Sequence, residues 1–234
     1  HGALGAIGRR SGHNGDRDGL NEDSMHKRNG IEVHAIDDLS RIEESRWQSL
    51  VSASTAAAAT ADPDDPPRGR GGLPFDDWRY LTALEASGCV GGRSGWDPRH
   101  LIVERAGEIV AAAPLYRKHH SYGEYVFDWA WANAYREHGL AYYPKGLVAS
   151  PFTPVPGPRL LAVDAAARER LVQALVAMAS QETWSSLHLL FAPAVDADAA
   201  RRAGWLERSA FQFHWTNDGY RTFDDFLARL AQPK

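Results

Sequence analysis

Residues 114–159 read PLYRKHHSYGEYVFDWAWANAYREHGLAYYPKGLVASPFTPVPGPR, and the fold is worked out from both ends of this stretch. A strand enters it at Leu115-Tyr-Arg117, and a second apolar run leaves it over residues 146–152. Between them lie Tyr122, Tyr125, Phe127, Trp129, Trp131, Tyr135, Tyr142 and Tyr143, interleaved with His119, His120, Glu124, Asp128 and Lys145. Each buried Tyr or Trp needs a partner for its O–H or N–H, so a plain core does not call for this mixture. A ligand cleft does: apolar walls with a few placed polar groups. The alternation of Phe127, Trp129 and Trp131 equally fits one buried face of a strand.

Upstream, Ile31-Glu-Val-His-Ala-Ile36 alternates as a short strand. Ser40 and Glu43 have capping-box spacing before a helix carrying Ile42, Trp47 and Leu50. Residues 52–72, an Ala/Thr run followed by DPDDPPRGRGG, are expected to be a flexible loop. A helix is expected over residues 74–87, stopped by Gly88. Residues 101–104 and 109–117, joined by Ala106-Gly107, predict a hairpin.

Downstream, Asp164 caps a helix with Leu171, Leu175 and Met178 on one face. A buried strand over residues 187–191, a short helix over 196–203, a strand over 211–215 and a last helix capped by Thr222 follow. Helices interleaved with strands give an α/β chain with a mixed central sheet flanked by helices.

The 234 residues are 44% hydrophobic with a net charge of −4, enough for a core without staples and without a global basic field for nucleic acid. A single cysteine, Cys89, forms no disulfide framework, which suits the cytoplasm. No apolar run is long enough for a membrane span. Residues 1–30 lack apolar periodicity and are expected to be disordered, with Met25 as the natural start. Histidine spacing gives no metal site.

That element order is similar to the GNAT-type acyltransferase fold. Within it, SGCVGGRSGWDPRHLIVE, SYGEYVFDW and PFTPVPGPRLL resemble the bacterial FemAB-like "peptidoglycan biosynthesis/recognition" family, from about Pro74 onward. The resemblance implies tandem GNAT-like halves and acyl or aminoacyl transfer to an amine, with acyl-CoA or aminoacyl-tRNA as donor. It therefore also implies tRNA as a partner, and a peptidoglycan precursor as the acceptor. Family members are longer, so the chain resembles an N-terminal half: a GNAT-like domain over residues 31–220, and the start of a second half over 221–234 that lacks its C-terminal partner. GNAT proteins hold coenzyme A on a Gly-rich turn. The equivalent here is Pro154-Val-Pro-Gly-Pro-Arg159, where three prolines lack an N–H.

Transfer to an amine needs a base, and Glu124 and Asp128, packed among rings, are the catalytic candidates. Their competing role is to shape the loop through hydrogen bonds. Trp129, Trp131, Tyr135 and Tyr143 would hold the acceptor, Lys145 and Arg159 an anionic group, and His119 and His120 would shuttle protons. The alternative to a transferase is a non-catalytic module that recognises a cell-wall precursor or peptide.

Overall fold

The computed structural model describes residues 2–7, 26–28, 30–61, 73–211, 215 and 217–230. In chain order, β1 (Gly2–Ile7), β2 (His26–Arg28) and β3 (Ile31–Ile36) lead to a 3-10 turn, Leu39–Arg41, and α1 (Glu44–Ala61). A second 3-10 turn, Pro74–Asp76, precedes α2 (Trp78–Ala86). Then come β4 (Trp96–Pro98), β5 (His100–Arg105), β6 (Glu108–Ala113), β7 (Leu115–Lys118) and α3 (Trp129–Glu137). The remaining elements are β8 (Lys145–Val148), β9 (Leu161–Ala162), α4 (Ala165–Gln181), β10 (Leu187–Ala192), α5 (Ala194–Arg202), β11 (Leu206–Ala210) and α6 (Phe223–Leu230).

Among the described residues the strands form two sheets, ordered β11-β1-β10-β8-β7-β4 and β2-β3-β5-β6-β9. The first is mixed: β8 runs parallel to β10 and antiparallel to β7. The expected hairpin joins the two sheets. Its outgoing arm, β4 and β5, is interrupted only at Arg99, whose N–H bonds the Leu115 carbonyl. Its returning arm, β6 and β7, is interrupted only at Pro114, which has no N–H for a ladder but accepts from Ala149.

Both faces of this hairpin are covered, which is why β6 is an unbroken apolar run rather than an alternating one. Leu101, Val103, Ala111, Ala113 and Leu115 pack on Leu171, Leu175 and Met178 of α4. Ile102, Ala112 and Leu161 pack on Trp47, Leu50 and Val51 of α1 and Leu81 of α2. Farther along the strands, Trp96 and Tyr116 meet Leu147, Ala149, Leu190 and Phe191 in a third cluster. The parity of β7 follows: Leu115 goes toward α4, while Tyr116, and with it Lys118, goes to the opposite face.

Local signals decide several boundaries. Asp164 caps α4, its carboxylate accepting the Ala167 N–H at 2.6 Å, and Thr222 accepts from Asp225 at the start of α6. Gly88 stops α2 in the left-handed region, φ +74°. The Ser40–Glu43 box does not form. Asp38 instead takes the Ser40 N–H, and α1 begins at Glu44. Residues 52–61, expected to be loop, are helix: alanine has the highest helix propensity, and Ser54, Thr55 and Ala58 are buried. Residues 62–72 lie outside the described residues. β11 spans Leu206–Ala210, and most of the strand expected over 211–215 lies outside the described residues. At the other end of the chain, Gly2–Ile7 and His26–Arg28 are strands, where the composition of residues 1–30 suggested none. Cys89 is exposed. No described helix is long and apolar enough to cross a membrane.

Candidate functional site: a buried two-lysine, two-carboxylate cluster under exposed rings

Lys145 enters at the first position of β8 and Lys118 at the last of β7, directly opposite each other in the ladder. Both side chains are buried, so each ammonium must be bonded or charge-paired. The Lys145 ammonium uses all three of its protons. It donates to Ser121 Oγ at 2.9 Å, Glu124 Oε2 at 2.8 Å and Asp128 Oδ2 at 2.5 Å. Asp128 Oδ2 also accepts from Ser121 at 2.9 Å and from the Tyr142 hydroxyl at 2.7 Å. Ser121 has one proton, and it is spent on Asp128. The Tyr143 hydroxyl, 2.8 Å away, is therefore the donor in its contact with Ser121.

Lys118 lies 3.6 Å over the Trp96 ring and donates to the Tyr122 carbonyl at 3.3 Å. The Trp96 N–H bonds the same carbonyl. Across from Lys118, Glu124 Oε1 is 3.9 Å from the ammonium, too far for a hydrogen bond. That oxygen and Asp128 Oδ1 are buried with no hydrogen-bond partner.

Electrostatics follow from this packing. Burial pushes the Glu124 carboxyl above its ordinary range, against the pull of Lys145. Asp128 ends below its ordinary range, because the Lys145, Tyr142 and Ser121 bonds outweigh its desolvation. Burial lowers the Lys118 ammonium to about 7, with the Lys145 charge adding to that and Glu124 opposing it. Unfolded, Lys118 titrates near 10.5, so between about 7 and 10.5 the unfolded chain binds the extra proton. Stability should therefore rise with pH across that window and fall as pH drops back through 7. Glu124, with its raised value, works the other way at lower pH. Urea unfolding of wild type and Lys118→Met at stepped pH checks this. The gap between them should change across the window; a constant gap contradicts it.

Above the cluster the rings face outward. Phe127 is 88% exposed, Trp131 52% and Trp129 47%, with Tyr122 and Tyr125 also open. Of the alternating Phe127, Trp129 and Trp131, the two tryptophans open α3, a helix with no buried residue, and Phe127 precedes it. The cleft expectation is inverted: the rings lie on the surface and the acids beneath them. Gly123, φ +79°, sets this arrangement. A Cβ there would fall 2.6 Å from the Phe152 ring and 3.3 Å from Trp96, so only glycine lets the turn lie this close. Tyr122 meets Trp129 edge-on at 5.5 Å, and the Arg208 guanidinium lies 5.8 Å from the Trp131 ring.

The structure brings Glu124, Asp128, Lys145 and Tyr143 together, with Tyr135 edge-on to Tyr142 at 5.1 Å. It does not gather the others there. His119 bonds Asp97 at 2.8 Å, and His120 bonds the Ser94 carbonyl at 2.8 Å. Arg159, expected to hold an anionic group, is fully buried and bonds Asp76 at 2.6 Å and the Val155 carbonyl at 2.7 Å. In the proline-rich turn the Gly157 N–H goes to the Phe191 carbonyl and the Arg159 N–H to Asp196, leaving only Val155 of the three donors.

Sequence reasoning missed Lys118, Ser121 and Trp96. A signal existed for the first: in Leu115-Tyr-Arg-Lys118, period two puts Lys118 on the face of Tyr116.

Known proteins give one finding. The model of a FemAB-like family, described as peptidoglycan biosynthesis/recognition, matches residues 38–234. No curated protein and no solved structure matches the chain. The family match covers the hairpin, the buried cluster, the exposed rings and α4, and with them a GNAT-like α/β fold. The chain therefore belongs to the FemAB-like family of peptidoglycan biosynthesis and recognition.

Proposed function

We propose that this chain recognises a peptidoglycan precursor through the exposed rings of residues 122–131. The observation that carries the reading is the inversion just described. Five aromatic side chains stand open within ten residues, over charges that lock their backbone in place. Rings that gained nothing from a ligand would be a solubility liability. Held on a fixed base, they offer flat apolar faces for sugar rings and for peptide side chains, at little entropic cost on binding.

The test is calorimetric titration with a soluble muropeptide. Wild type should bind. Replacing Trp129 and Trp131 together by Ala should weaken binding at least tenfold, the scale of a ring at a binding hot spot. Both rings are half open, so the melting temperature should hardly move. Unchanged affinity in the double variant overturns the reading, as does no binding by the wild type.

A second reading, N-acyl or aminoacyl transfer to an amine of that precursor, is favoured by Lys118 and Glu124. Burial lowers the Lys118 ammonium to about 7 and raises the Glu124 carboxyl above its ordinary range, and an acid–base group works best near the operating pH. In such a step the acceptor nitrogen bonds the acyl carbon and loses a proton to the base. The donor's thiol or hydroxyl leaves. Glu124 and Asp128 are covered in this structure, so the turn at residues 121–125 would have to lift. Their present role is to position the rings. Appearance of labelled acyl-muropeptide from acyl-CoA or aminoacyl-tRNA separates transfer from recognition alone.

A further inference from the structure

Val126 packs on the cluster of Trp96 and Tyr116, and Tyr142 is buried; between them the chain leaves the body of the protein. Of residues 127–141 only Asp128 is buried. The other side-chain hydrogen bonds of this segment stay inside it. Arg136 donates to Asn133 Oδ1 at 3.0 Å, and His138 Nδ1 lies 2.8 Å from the Ala134 carbonyl. The end of α3 is closed in the same way, with the N–H groups of His138, Gly139 and Leu140 on the carbonyls of Ala134, Arg136 and Tyr135. Among the described residues, no backbone hydrogen bond runs from this segment to the rest of the protein, and its one ion pair is that of Asp128.

One carboxylate and three ring contacts therefore hold α3 down. Asp128 Oδ2 takes Lys145 at 2.5 Å, Tyr142 at 2.7 Å and Ser121 at 2.9 Å. Tyr135 meets Tyr142 at 5.1 Å, Trp129 meets Tyr122 at 5.5 Å, and the Arg208 guanidinium lies 5.8 Å from the Trp131 ring. The same carboxylate has a second set of donors within reach. Asp128 is the N-cap residue of α3, where an aspartate normally accepts an N–H of the first turn. Its side chain makes no such bond, and its Oδ1 is buried with no hydrogen-bond partner. Lys145 and two hydroxyls compete with the helix end for one side chain, so the arrangement has two states. Both flanks leave room to move. Phe127 is 88% exposed, and Gly139, at φ +69°, has nothing within 4 Å of a Cβ built on it.

We propose that α3 is a lid over the Lys145 cluster, turning about Phe127 and Gly139, closed while Asp128 bonds Lys145 and open when Asp128 caps α3 instead. Opening exposes a buried ammonium. Lys145 keeps Glu124 and Ser121 and recovers one proton for an acceptor from outside. Little apolar surface changes hands, since no residue of α3 is buried. The lid is independent of both readings of the function, because its movement is measured without donor or acceptor.

The test is acetylation of amines on the full chain in native buffer, with modification at Lys145 followed by peptide mass spectrometry. Urea unfolding supplies the globally unfolded fraction for comparison. Lys145 should label at least tenfold faster than that fraction allows, as a local opening requires. Tyr135→Ala and Arg208→Ala each remove one ring contact outside the core, and each should speed Lys145 labelling about fivefold with thermal melting unchanged. Labelling of wild-type Lys145 no faster than global unfolding overturns the proposal. So does labelling that both variants leave unchanged.

Discussion

Replacing Lys145 by Met is expected to destabilise the protein by about 3–5 kcal/mol, the cost of stranding buried charge. The ammonium is the common partner of Ser121, Glu124 and Asp128, all of them buried. Methionine keeps the volume and removes every bond. Asp128 then retains only hydroxyl donors, Ser121 and Tyr142, and Glu124 retains only Lys118 at 3.9 Å. The melting temperature should fall by roughly 10 °C. Combining Lys145→Met with Asp128→Asn should recover part of the loss, because a neutral amide costs less to bury than a lone carboxylate. The near-ultraviolet dichroism of the rings should weaken as well, since the turn they stand on loses its anchor. A variant as stable as wild type would show that the cluster neither holds the loop nor is as closed as described.

Arg159→Met is the second large effect, again about 3–5 kcal/mol. The guanidinium bonds Asp76 and the carbonyls of Pro158 and Val155, with no exposure to solvent. Its backbone N–H, with that of Leu160, bonds Asp196 Oδ2, while Arg168 bonds Asp196 Oδ1. This network fastens the proline-rich segment to the 3-10 turn before α2 and to the start of α5. Without the guanidinium, the buried Asp76 carboxylate loses this ion pair. Arg159→Met with Asp76→Asn should be closer to wild type than Arg159→Met alone, a coupling that a double-mutant cycle reads directly. The outcome also decides what Arg159 is for. A residue that gripped substrate would lose binding and keep stability. The geometry requires the reverse: denaturation midpoint shifted, muropeptide affinity retained in whatever fraction stays folded.

These two variants bear on how far the sequence could be read. The Lys145 cluster was half legible. Glu124, Asp128, Lys145 and Tyr143 stand within 22 residues and were all singled out, because charge among rings demands an explanation. Which of them touch could not be read, since the contacts depend on β8 pairing with β7 and on the turn at Gly123. The Asp76–Arg159–Asp196 network was not legible. Its members are separated by 83 and 37 residues, and nothing local to any one of them reports the others. The Ala-rich half of α1 misled for a different reason. Low complexity next to DPDDPPRGRGG looked like linker, yet alanine is a strong helix former and Ala58 is buried.

By itself the sequence determined most of the order of strands and helices from β3 onward, though not β1, β2, α3 or β9, and with it the hairpin, the Asp164 cap and the crowding of rings and charges into one segment. These follow from local periodicity and from turn chemistry, which act between near neighbours. Only the tertiary structure decided that the rings face water and the acids do not. The one period in the 121–131 segment, the alternation of Phe127, Trp129 and Trp131, suits a buried strand face, and the structure leaves those rings exposed. The choice was made by two lysines arriving from neighbouring strands. Each buried ammonium required anionic partners, and satisfying them drew Glu124 and Asp128 inward while the rings were left outside.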